Sequence, residues 1–322
     1  MNRRQVLLTG AALALCGPLA AFAQAFPSRP VRLVVPFPPG GPTDIFARAY
    51  AARLETALGQ PVVVDNKAGA SGAIGAAEVA RARADGHTLL FGTASTHALY
   101  NLIVEKPQYD SIKDFAHVAV VGGAPAVLVA HPSQPETLKA VVDLARAQPA
   151  KLRYGSPGTG TFLHVAAERF NRAAGISIQH VPYKGSGQTK PALLGGQVEL
   201  IVDTLGSSLA NHKAGRARIL AVAAPKRSPL APEIPTVDEA LGTKGFQAVL
   251  WNVVCAPAGT AAPVLVQLSR ATAKALSDAS LREQLAQLGI DVETDITLGA
   301  ATAYITAEMG RLKPVVEGLE TR

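Results

Sequence analysis

Two glycine-rich turns carry the residue types of an anion-binding site. The first, at residues 36–44, lies between an apolar segment and a helical pattern, and the second, at residues 156–161, has the same surroundings. A helix N-terminus offers unpaired N–H groups and the positive end of its dipole, and short hydroxyl side chains add neutral donors. Each turn therefore predicts one half of an anion site, with Thr43 or Asp44 capping the first helix.

The candidate ligand-binding residues come from these turns and from strand ends that would open beside them, such as Ser95 and Asp203. A buried carboxylate repels an anion unless N–H groups satisfy it, so we interpret Asp44 as a brace for its turn. Asp203 is interpreted as a brace or as the partner of a ligand amino group, and His164 as a brace for the second turn. The alternative is that the glycines only permit tight turns and the hydroxyls only cap helices. The predicted ligand-binding set is Phe37, Pro39, Gly40, Gly41, Thr43, Asp44, Ser95, Thr96, Ser156, Gly158, Thr159, Gly160, Thr161, His164, Asp203 and Thr204.

Strand and helix patterns alternate along the chain and place both turns at the carboxyl ends of strands. The strand patterns include residues 88–93, 118–121 and 126–130, and the helical patterns include residues 162–174 and 189–195. This alternation predicts parallel sheets joined by right-handed crossovers. The unit of strand, glycine turn and helix occurs twice, which indicates two α/β lobes. Since ligands of open α/β sheets collect at the carboxyl ends of strands, we expect the ligand to lie between the lobes.

Residues 1–23 have the layout of a cleaved export signal, with Arg3-Arg4, an apolar run at residues 6–15 and small residues before Gln24. We therefore expect a soluble periplasmic protein, exported by the Sec route in preference to the twin-arginine route. Cys16 would leave with the signal. Only Cys255 would remain, which excludes an intramolecular disulfide and a cysteine zinc cluster.

Several classes of function lack their sequence signals. The formal net charge is +7, but no run of Lys and Arg stands beside aromatic residues as in nucleic-acid binding proteins. A mild positive field suits small anions instead. The nucleophile elbow, the zinc-protease helix and the phosphate loop with its lysine do not occur, and the seven histidines are scattered. We predict a binding protein that is not an enzyme and holds no cofactor or metal.

Several segments, in order along the chain, resemble the Bug family, the periplasmic solute-binding receptors of tripartite tricarboxylate transporters. They are VPFPPGGPTD (35–44), GQPVVVDNK (59–67), DGHTLL (85–90), YGSPGTGTFLH (154–164), VPYKG (181–185), LGGQV (194–198) and APAGT (256–260).

The resemblance implies a type II periplasmic-binding-protein fold, in which two α/β lobes joined by two crossover strands close on a carboxylated solute. It places the crossings near residues 122–125 and 223–226. The first lobe is then 24–121 plus 225–322, and the second lobe is 122–224. The resemblance also implies that the two turns hold one carboxylate, largely through backbone groups, hydroxyls and ordered water.

The chain departs from the common family pattern outside these turns. Tyr100, Phe162 and Asn252 stand where the family commonly has other residues, Trp251 precedes one of these changes, and Thr204 replaces a usual Asn. The carboxylate clamp is kept, and the distal half of the pocket is altered. We therefore take Tyr100, Phe162, Trp251 and Asn252 as candidate specificity residues, with core packing as the alternative.

These observations predict an extracytoplasmic receptor that captures a small organic carboxylate or amino acid. It would deliver this ligand, as a monomer, to the membrane permease of a tripartite tricarboxylate transporter. The alternatives are a ligand-dependent partner of a membrane signalling protein, which needs the same cleft, and a secreted α/β hydrolase, which would turn its ligand over.

Overall fold

The computed structural model describes residues 26–149, 151–293 and 296–317. The predicted export signal, including Cys16, lies outside the described residues. Within them, strands and helices alternate as the sequence predicts, and the strands form one curled sheet with two α/β lobes. None of the helices in these ranges is long and apolar enough to cross a membrane.

The first lobe is built around the apolar strand β1 (Val31–Val35), which pairs in parallel with β2 (Val62–Asn66) and β3 (Thr88–Thr93). Strand β9 (Val249–Pro257) adds to β3 in the antiparallel direction. Both faces of this sheet are buried, which explains the nearly continuous apolar strand sequences. The covering helices are α1 (Pro42–Leu58), α2 (Ala73–Ala80), α9 (Ala262–Ser277), α10 (Ala279–Gln287) and α11 (Ala300–Glu317).

The second lobe repeats this plan. Strand β5 (Arg153–Ser156) lies in parallel between β6 (Gln179–Pro182) and β7 (Leu200–Thr204), and β8 (Arg218–Val222) lies beyond. Helices α4 (Leu138–Ala147) and α5 (Phe162–Ala174) contribute to the apolar core on one face. Helices α6 (Ser186–Leu194) and α7 (Leu205–Lys213) contribute to the core on the other.

One continuous strand, β4 (Phe115–Ala130), runs from the first lobe into the second. Its first part pairs with β9, and its last part pairs with β7 and β8. The sequence patterns indicated two strands, at 118–121 and 126–130, and that division is wrong. Two adjacent glycines, Gly122 and Gly123, are typical of a turn, but here they lie within the strand. Gly122 allows the close approach of β10 (Asp291–Val292), since a Cβ at Gly122 would lie 2.4 Å from the Asp291 carbonyl oxygen.

Residues after 226 still contact elements of the second lobe. Thr236 forms a bridge with Val222, and α8 (Val237–Leu241) contacts α4 and β8. The N–H of Ala248 donates to the Ala223 carbonyl oxygen at 3.0 Å. These contacts favour a return crossing at the start of β9. The lobe limits of 24–121 plus 225–322 and 122–224 stay a prediction, and we propose that residues 225–248 belong with the second lobe.

Several short elements have no clear pattern in the sequence. A π-helix (Ser95–Leu99) follows β3 and continues into α3 (Tyr100–Ile103), and a 3-10 turn (Ala70–Gly72) precedes α2. Helices α7 and α8 and strand β10 are also absent from the sequence patterns. The π-helix and α7 matter most, because residues at their starts face the space between the lobes.

Candidate functional site

Three helix N-termini meet at one cavity between the lobes. They belong to α1 in the first lobe and to α5 and α6 in the second. The space in and around the cavity that no atom occupies is about 400 Å³, part of it open to solvent. None of its lining residues carries a charge in the part of the chain described. The lining residues are Phe37, Pro38, Gly41, Pro42, Thr43, Ser95, Pro157, Thr161, Leu163, Ser186 and Leu250.

The first turn leads into α1 without a side-chain cap. Gly41 is the N-cap residue and Pro42 is the first helical residue, so the predicted capping by Thr43 or Asp44 is wrong. Proline fits this position because its missing N–H would have no helical partner. The N–H groups of Thr43 and Asp44 then lie in the first turn, where the helix itself supplies no acceptor.

Asp44 braces the first turn from behind. Its Oδ2 accepts hydrogen bonds from the Gly40 N–H at 2.9 Å and from Arg48 Nε at 3.0 Å, and its Oδ1 accepts one from Asn66 Nδ2 at 2.8 Å. Burial opposes ionisation, but the hydrogen bonds from Arg48, Gly40 and Asn66 lower the pKa of Asp44 overall. The carboxylate is thus ionised and satisfied within its own turn, as the interpretation of Asp44 as a brace expects.

The second turn is closed by Thr161, the N-cap of α5. Its hydroxyl donates to the Gly158 carbonyl oxygen at 2.8 Å and accepts from the His164 N–H at 3.4 Å. Gly158 and Gly160 have φ of +143° and +76°, a region that favours glycine. The Thr161 hydroxyl therefore caps the helix, as the alternative interpretation expects. The N–H of Leu163, in the first turn of α5, has no acceptor within the helix.

A row of aromatic rings supports the second turn. His164 Nδ1 accepts from the Gly160 N–H at 3.2 Å, and Ser156 Oγ lies 2.7 Å from His180 Nε2. The rings of His164 and His180 pack with centroids 4.2 Å apart, next to Tyr154. Burial lowers the pKa of both histidines to about 4. Both are neutral near pH 7, and they hold the turn without adding charge to the site.

Two hydrogen bonds join the lobes directly at the cavity. Ser95 Oγ accepts from the Phe162 N–H at 2.9 Å, and Ser71 Oγ donates to the Thr159 carbonyl oxygen at 2.6 Å. Across the same gap, a Cβ at Gly185 would lie 2.8 Å from the Pro38 ring. The lobes are therefore in contact around the cavity, in a closed arrangement.

The third N-terminus, that of α6, was missed by sequence reasoning. The helical pattern indicated a start at Thr189, but α6 begins at Ser186, with Gly185 as its N-cap. The order of Gly185 and Ser186 repeats the glycine and hydroxyl order of the other two turns. That repetition was the available signal for this part of the site.

A second cavity adjoins the first, and the two share Pro42 and Leu250 as walls. The space in and around it that no atom occupies is about 360 Å³, part of it open to solvent. Its other lining residues are Ile45, Ala124, Thr204, Ser207, Asn252, Leu288 and Ile290. Ser207 is held by Lys190, whose Nζ donates to Ser207 Oγ at 2.8 Å. We call this space the distal cavity, because it lies beyond Leu250 from the three N-termini.

The structure divides the predicted ligand-binding residues into lining and supporting positions. Phe37, Gly41, Thr43, Ser95 and Thr161 line the main cavity, Thr204 lines the distal cavity, and Gly158 lines a cleft on the outer side of the turns. The remaining predicted residues line neither cavity. They are Pro39, Gly40, Asp44, Thr96, Ser156, Thr159, Gly160, His164 and Asp203.

Asp203 lies behind the end of β7. Its Oδ2 accepts a hydrogen bond from Ser208 Oγ at 2.9 Å, and its Oδ1 has no hydrogen-bond partner among the described residues. The neighbouring Thr204 lines the distal cavity. Asp203 itself lines neither cavity, and its role as a brace or as the partner of a ligand amino group stays a prediction.

Of the four candidate specificity residues, Asn252 lines the distal cavity, and the other three line neither the main nor the distal cavity. Trp251 is buried, with its Nε1 donating to Glu308 Oε2 at 3.1 Å, and Tyr100 stacks on Tyr109 with ring centroids 4.5 Å apart. Phe162 is buried in the core and offers the cavity region only its backbone N–H, which Ser95 engages. The core-packing alternative describes these three side chains. Leu163 and Leu250 line the main cavity instead. Leu163, like Phe162, departs from the common family pattern, whereas Leu250 carried no signal beyond its apolar character.

Comparison with known proteins identifies the family. The model of the tripartite tricarboxylate transporter family receptor matches residues 46–320. A protein from the tcbD-tcbE intergenic region of Pseudomonas sp. (strain P51) is 38% identical over 293 residues, covering 90% of this chain and 87% of that protein. Protein BugT of Bordetella pertussis is 37% identical over 269 residues, covering 83% of this chain and 82% of BugT.

Solved structures agree with this assignment. The periplasmic binding protein BugD has a TM-score of 0.87 at 32% identity, covering 91% of this chain and 98% of BugD. MatC of Rhodopseudomonas palustris, with bound malate, has a TM-score of 0.86 at 33% identity, covering 90% of this chain and 100% of MatC. The Rpa4515 protein of R. palustris, with adipate, has a TM-score of 0.87 at 36% identity, covering 91% and 97% of the two chains.

These matches confirm the predicted two-lobed periplasmic-binding-protein fold. They also confirm the expectation of a solute-binding receptor and not an enzyme, since the relatives are binding proteins. The chain belongs to the tripartite tricarboxylate transporter receptor family.

Proposed function

We propose that this protein captures a small organic carboxylate in the cavity between its lobes and delivers it to the permease of a tripartite tricarboxylate transporter. The observation that carries the proposal is the meeting of three helix N-termini at a cavity lined by uncharged residues. Helix N-termini stabilise an anion through free N–H groups and the helix dipole, without the strong ion pair that would slow release.

Four groups are suited to hold the carboxylate. They are the N–H groups of Thr43 and Leu163 and the hydroxyls of Ser95 and Ser186, which come from both lobes. A ligand that contacts both lobes binds the closed form more tightly than the open form, and so it shifts the protein toward closure. Release to a permease then requires only that the lobes separate.

The known ligands of relatives support this class of ligand. MatC was solved with malate and Rpa4515 with adipate, and both are dicarboxylates. An amino acid is less well suited to the main cavity, because no acidic side chain lines it to pair with an ammonium group. We therefore place carboxylates without an amino group ahead of amino acids.

The family supports a periplasmic location, and we also propose an export route and an oligomeric state. Periplasmic location follows from the family and requires cleavage of residues 1–23, for which we propose the Sec route. We propose that the protein acts as a monomer, since the cavity is completed by two lobes of one chain.

A thermal-shift screen of the purified protein tests the ligand class. The panel holds mono-, di- and tricarboxylates, amino acids and aromatic acids, each at a fixed concentration. A ligand that binds only the native state raises the free energy of unfolding by mass action, by about 2.7 kcal/mol at one hundred times its Kd. The melting temperature rises as a result. We expect carboxylates to raise it, and a panel in which only amines or sugars do so would contradict the proposal.

Co-purification with membranes tests the delivery step. The tagged protein is incubated with detergent-solubilised membranes of its host, with and without the carboxylate found in the screen. Ligand-dependent recovery of a permease is expected. Recovery of a membrane signalling protein in its place would show that the receptor acts as a sensor.

A further inference from the structure

Outside the ligand site, three potential metal ligands lie together in the core of the first lobe. One ring nitrogen each of His97 and His117 and the sulfur of Cys255 lie within 4.8 Å of one another, and all three residues are buried. His117 and Cys255 are direct partners across strands β4 and β9. His97 comes over them from the π-helix. Fixed strand register therefore sets two of the three positions, which sequence spacing could not reveal.

The hydrogen bonds around His97 fix which of its nitrogens is free. Thr96 Oγ1 donates its proton to the Thr93 carbonyl oxygen at 3.1 Å, so it must accept from Nδ1–H of His97 at 2.9 Å. The lone pair of His97 therefore lies on Nε2, which is 3.3 Å from the Cys255 sulfur. Since this nitrogen has no proton, the Cys255 thiol donates to it.

His117 is oriented in a similar way. Its Nε2 lies 2.9 Å from the Ser111 carbonyl oxygen, which can only accept, so this nitrogen carries the proton. Its Nδ1 carries the lone pair and lies 2.9 Å from the hydroxyl of Thr302. A histidine that ligates a metal typically donates its other N–H to a carbonyl or hydroxyl oxygen of the protein. His97 already has that arrangement, and in His117 the Thr302 hydroxyl must turn away before Nδ1 can bind a metal ion.

We propose that His97, His117 and Cys255 form a buried site for a monovalent thiophilic metal ion, of which Cu⁺ is the biological example. On binding, the thiol loses its proton to solvent and the sulfur bonds to the ion, with no change in oxidation state. The two imidazoles bind as neutral ligands.

Charge and ligand number favour a monovalent ion. A thiolate and Cu⁺ sum to zero, which a buried site without a carboxylate among its ligands tolerates, whereas Zn²⁺ would leave one uncompensated positive charge in the core. Structural zinc sites also use four protein ligands, and this cluster offers three. Thiolate and imidazole are suited to Cu⁺.

An anaerobic titration tests the site. The protein carries Cys16→Ser, so that Cys255 is its only thiol. Cu⁺ is supplied from a coloured chelator complex, both to folded protein and during refolding from urea, and Ag⁺ and Zn²⁺ serve as separate arms. We expect one Cu⁺ or Ag⁺ per chain, and more than about 100-fold weaker binding after Cys255→Ala or His97→Gln, since even the loss of supporting groups costs 10–100-fold.

His131→Gln is the matched control, because the His131 ring is partly exposed and, among the described residues, hydrogen-bonds only to Ser133. The melting curve and the carboxylate-induced shift verify that each variant folds. X-ray absorption of the Cu⁺-loaded protein, in which both nitrogen and sulfur neighbours are expected, tests the site without the variants. The proposal is overturned if Cu⁺ binds no more tightly than it does to Cys255→Ala, or if Zn²⁺ occupies these residues more tightly than Cu⁺.

Discussion

The Oγ of Ser95 lies 2.9 Å from the backbone nitrogen of Phe162, and this hydrogen bond joins the two lobes at the edge of the ligand cavity. Ser95 begins the π-helix of the first lobe, and Phe162 is the first helical residue of α5 in the second lobe. Ser95 thus engages one N–H of the α5 terminus and keeps its own hydroxyl proton for another acceptor. In the proposed site, lobe closure and anion binding would therefore use the same side chain.

Replacing Ser95 with alanine removes both functions. We expect ligand affinity to fall about tenfold, because one hydrogen bond of about 1.4 kcal/mol is lost from the closed form. Isothermal titration calorimetry with the best carboxylate measures this. Ser133→Ala, at an exposed position away from the cavity, should bind like the parent protein. Equal affinities of Ser95→Ala and Ser133→Ala would refute the role of this contact.

A negative charge at the third N-terminus separates binding from stability. Ser186→Asp places a carboxylate at the first helical position of α6, where it interacts favourably with the helix dipole by about 0.3–1 kcal/mol. The same carboxylate faces the cavity, and we expect it to weaken carboxylate binding by more than about 100-fold, because unscreened like charges repel strongly.

The control is Ala262→Asp at the exposed first position of α9, away from the cavity. Thermal melts and calorimetry are run on both variants. If Ser186→Asp kept its affinity for the ligand, α6 would not belong to the site.

The brace at Asp44 predicts a pH dependence of stability. The hydrogen bonds from Arg48, Gly40 and Asn66 outweigh burial and hold its folded pKa below the ordinary value of 3.8. Its stabilisation is therefore complete above the unfolded pKa and is lost as the pH falls through the folded pKa. We expect Asp44→Asn to lose about 2 kcal/mol of unfolding free energy at pH 7, and less at pH 3, where the carboxyl group of the unfolded chain is mostly protonated.

Urea unfolding at the two pH values measures this difference. Asp143→Asn, which breaks only an exposed pair with Lys139, should be close to neutral at both. A loss for Asp44→Asn that does not change with pH would mean that the carboxylate charge is not what braces the turn.

The distal cavity predicts a dependence on ligand length. A carboxylate held at the three N-termini and extended past Leu250 would end beside Ser207 and Asn252. Ser207→Leu fills part of this space and removes the hydrogen bond to Lys190. We expect it to weaken binding of a six-carbon dicarboxylate more than that of a four-carbon one. The ratio of the two affinities, measured by calorimetry, should change, and an unchanged ratio would place the ligand wholly in the main cavity.

The sequence predicted the elements that have strong local patterns. Strand β3 and helix α5 have the predicted limits, and the two glycine turns lie at one cavity. Helix α7 was missed because Gly206 and the serines after it disfavour a helix locally. A Cβ at Gly206 would lie 2.1 Å from the Leu288 carbonyl oxygen, so the glycine serves a tertiary contact that no local pattern contains.

Local patterns also could not tell which site residues line the cavity and which support the turns. Asp44 and Ser156 have side chains typical of ligand contacts, yet both are engaged with their own turns. Leu250 and Leu163 line the cavity although their types suggest only core packing. Residue type and proximity in sequence identified the turns, and only the packing of one lobe on the other determines which atoms face the ligand.

We expect the proposed site to recognise the charge of a carboxylate through uncharged groups. Calorimetric titration of a carboxylate from the screen against its own amide, which has nearly the same shape and no charge, tests this most directly. We expect tight binding of the carboxylate and at least about 100-fold weaker binding of the amide, a difference of about 2.7 kcal/mol in binding free energy. Equal affinity for the two compounds would contradict it.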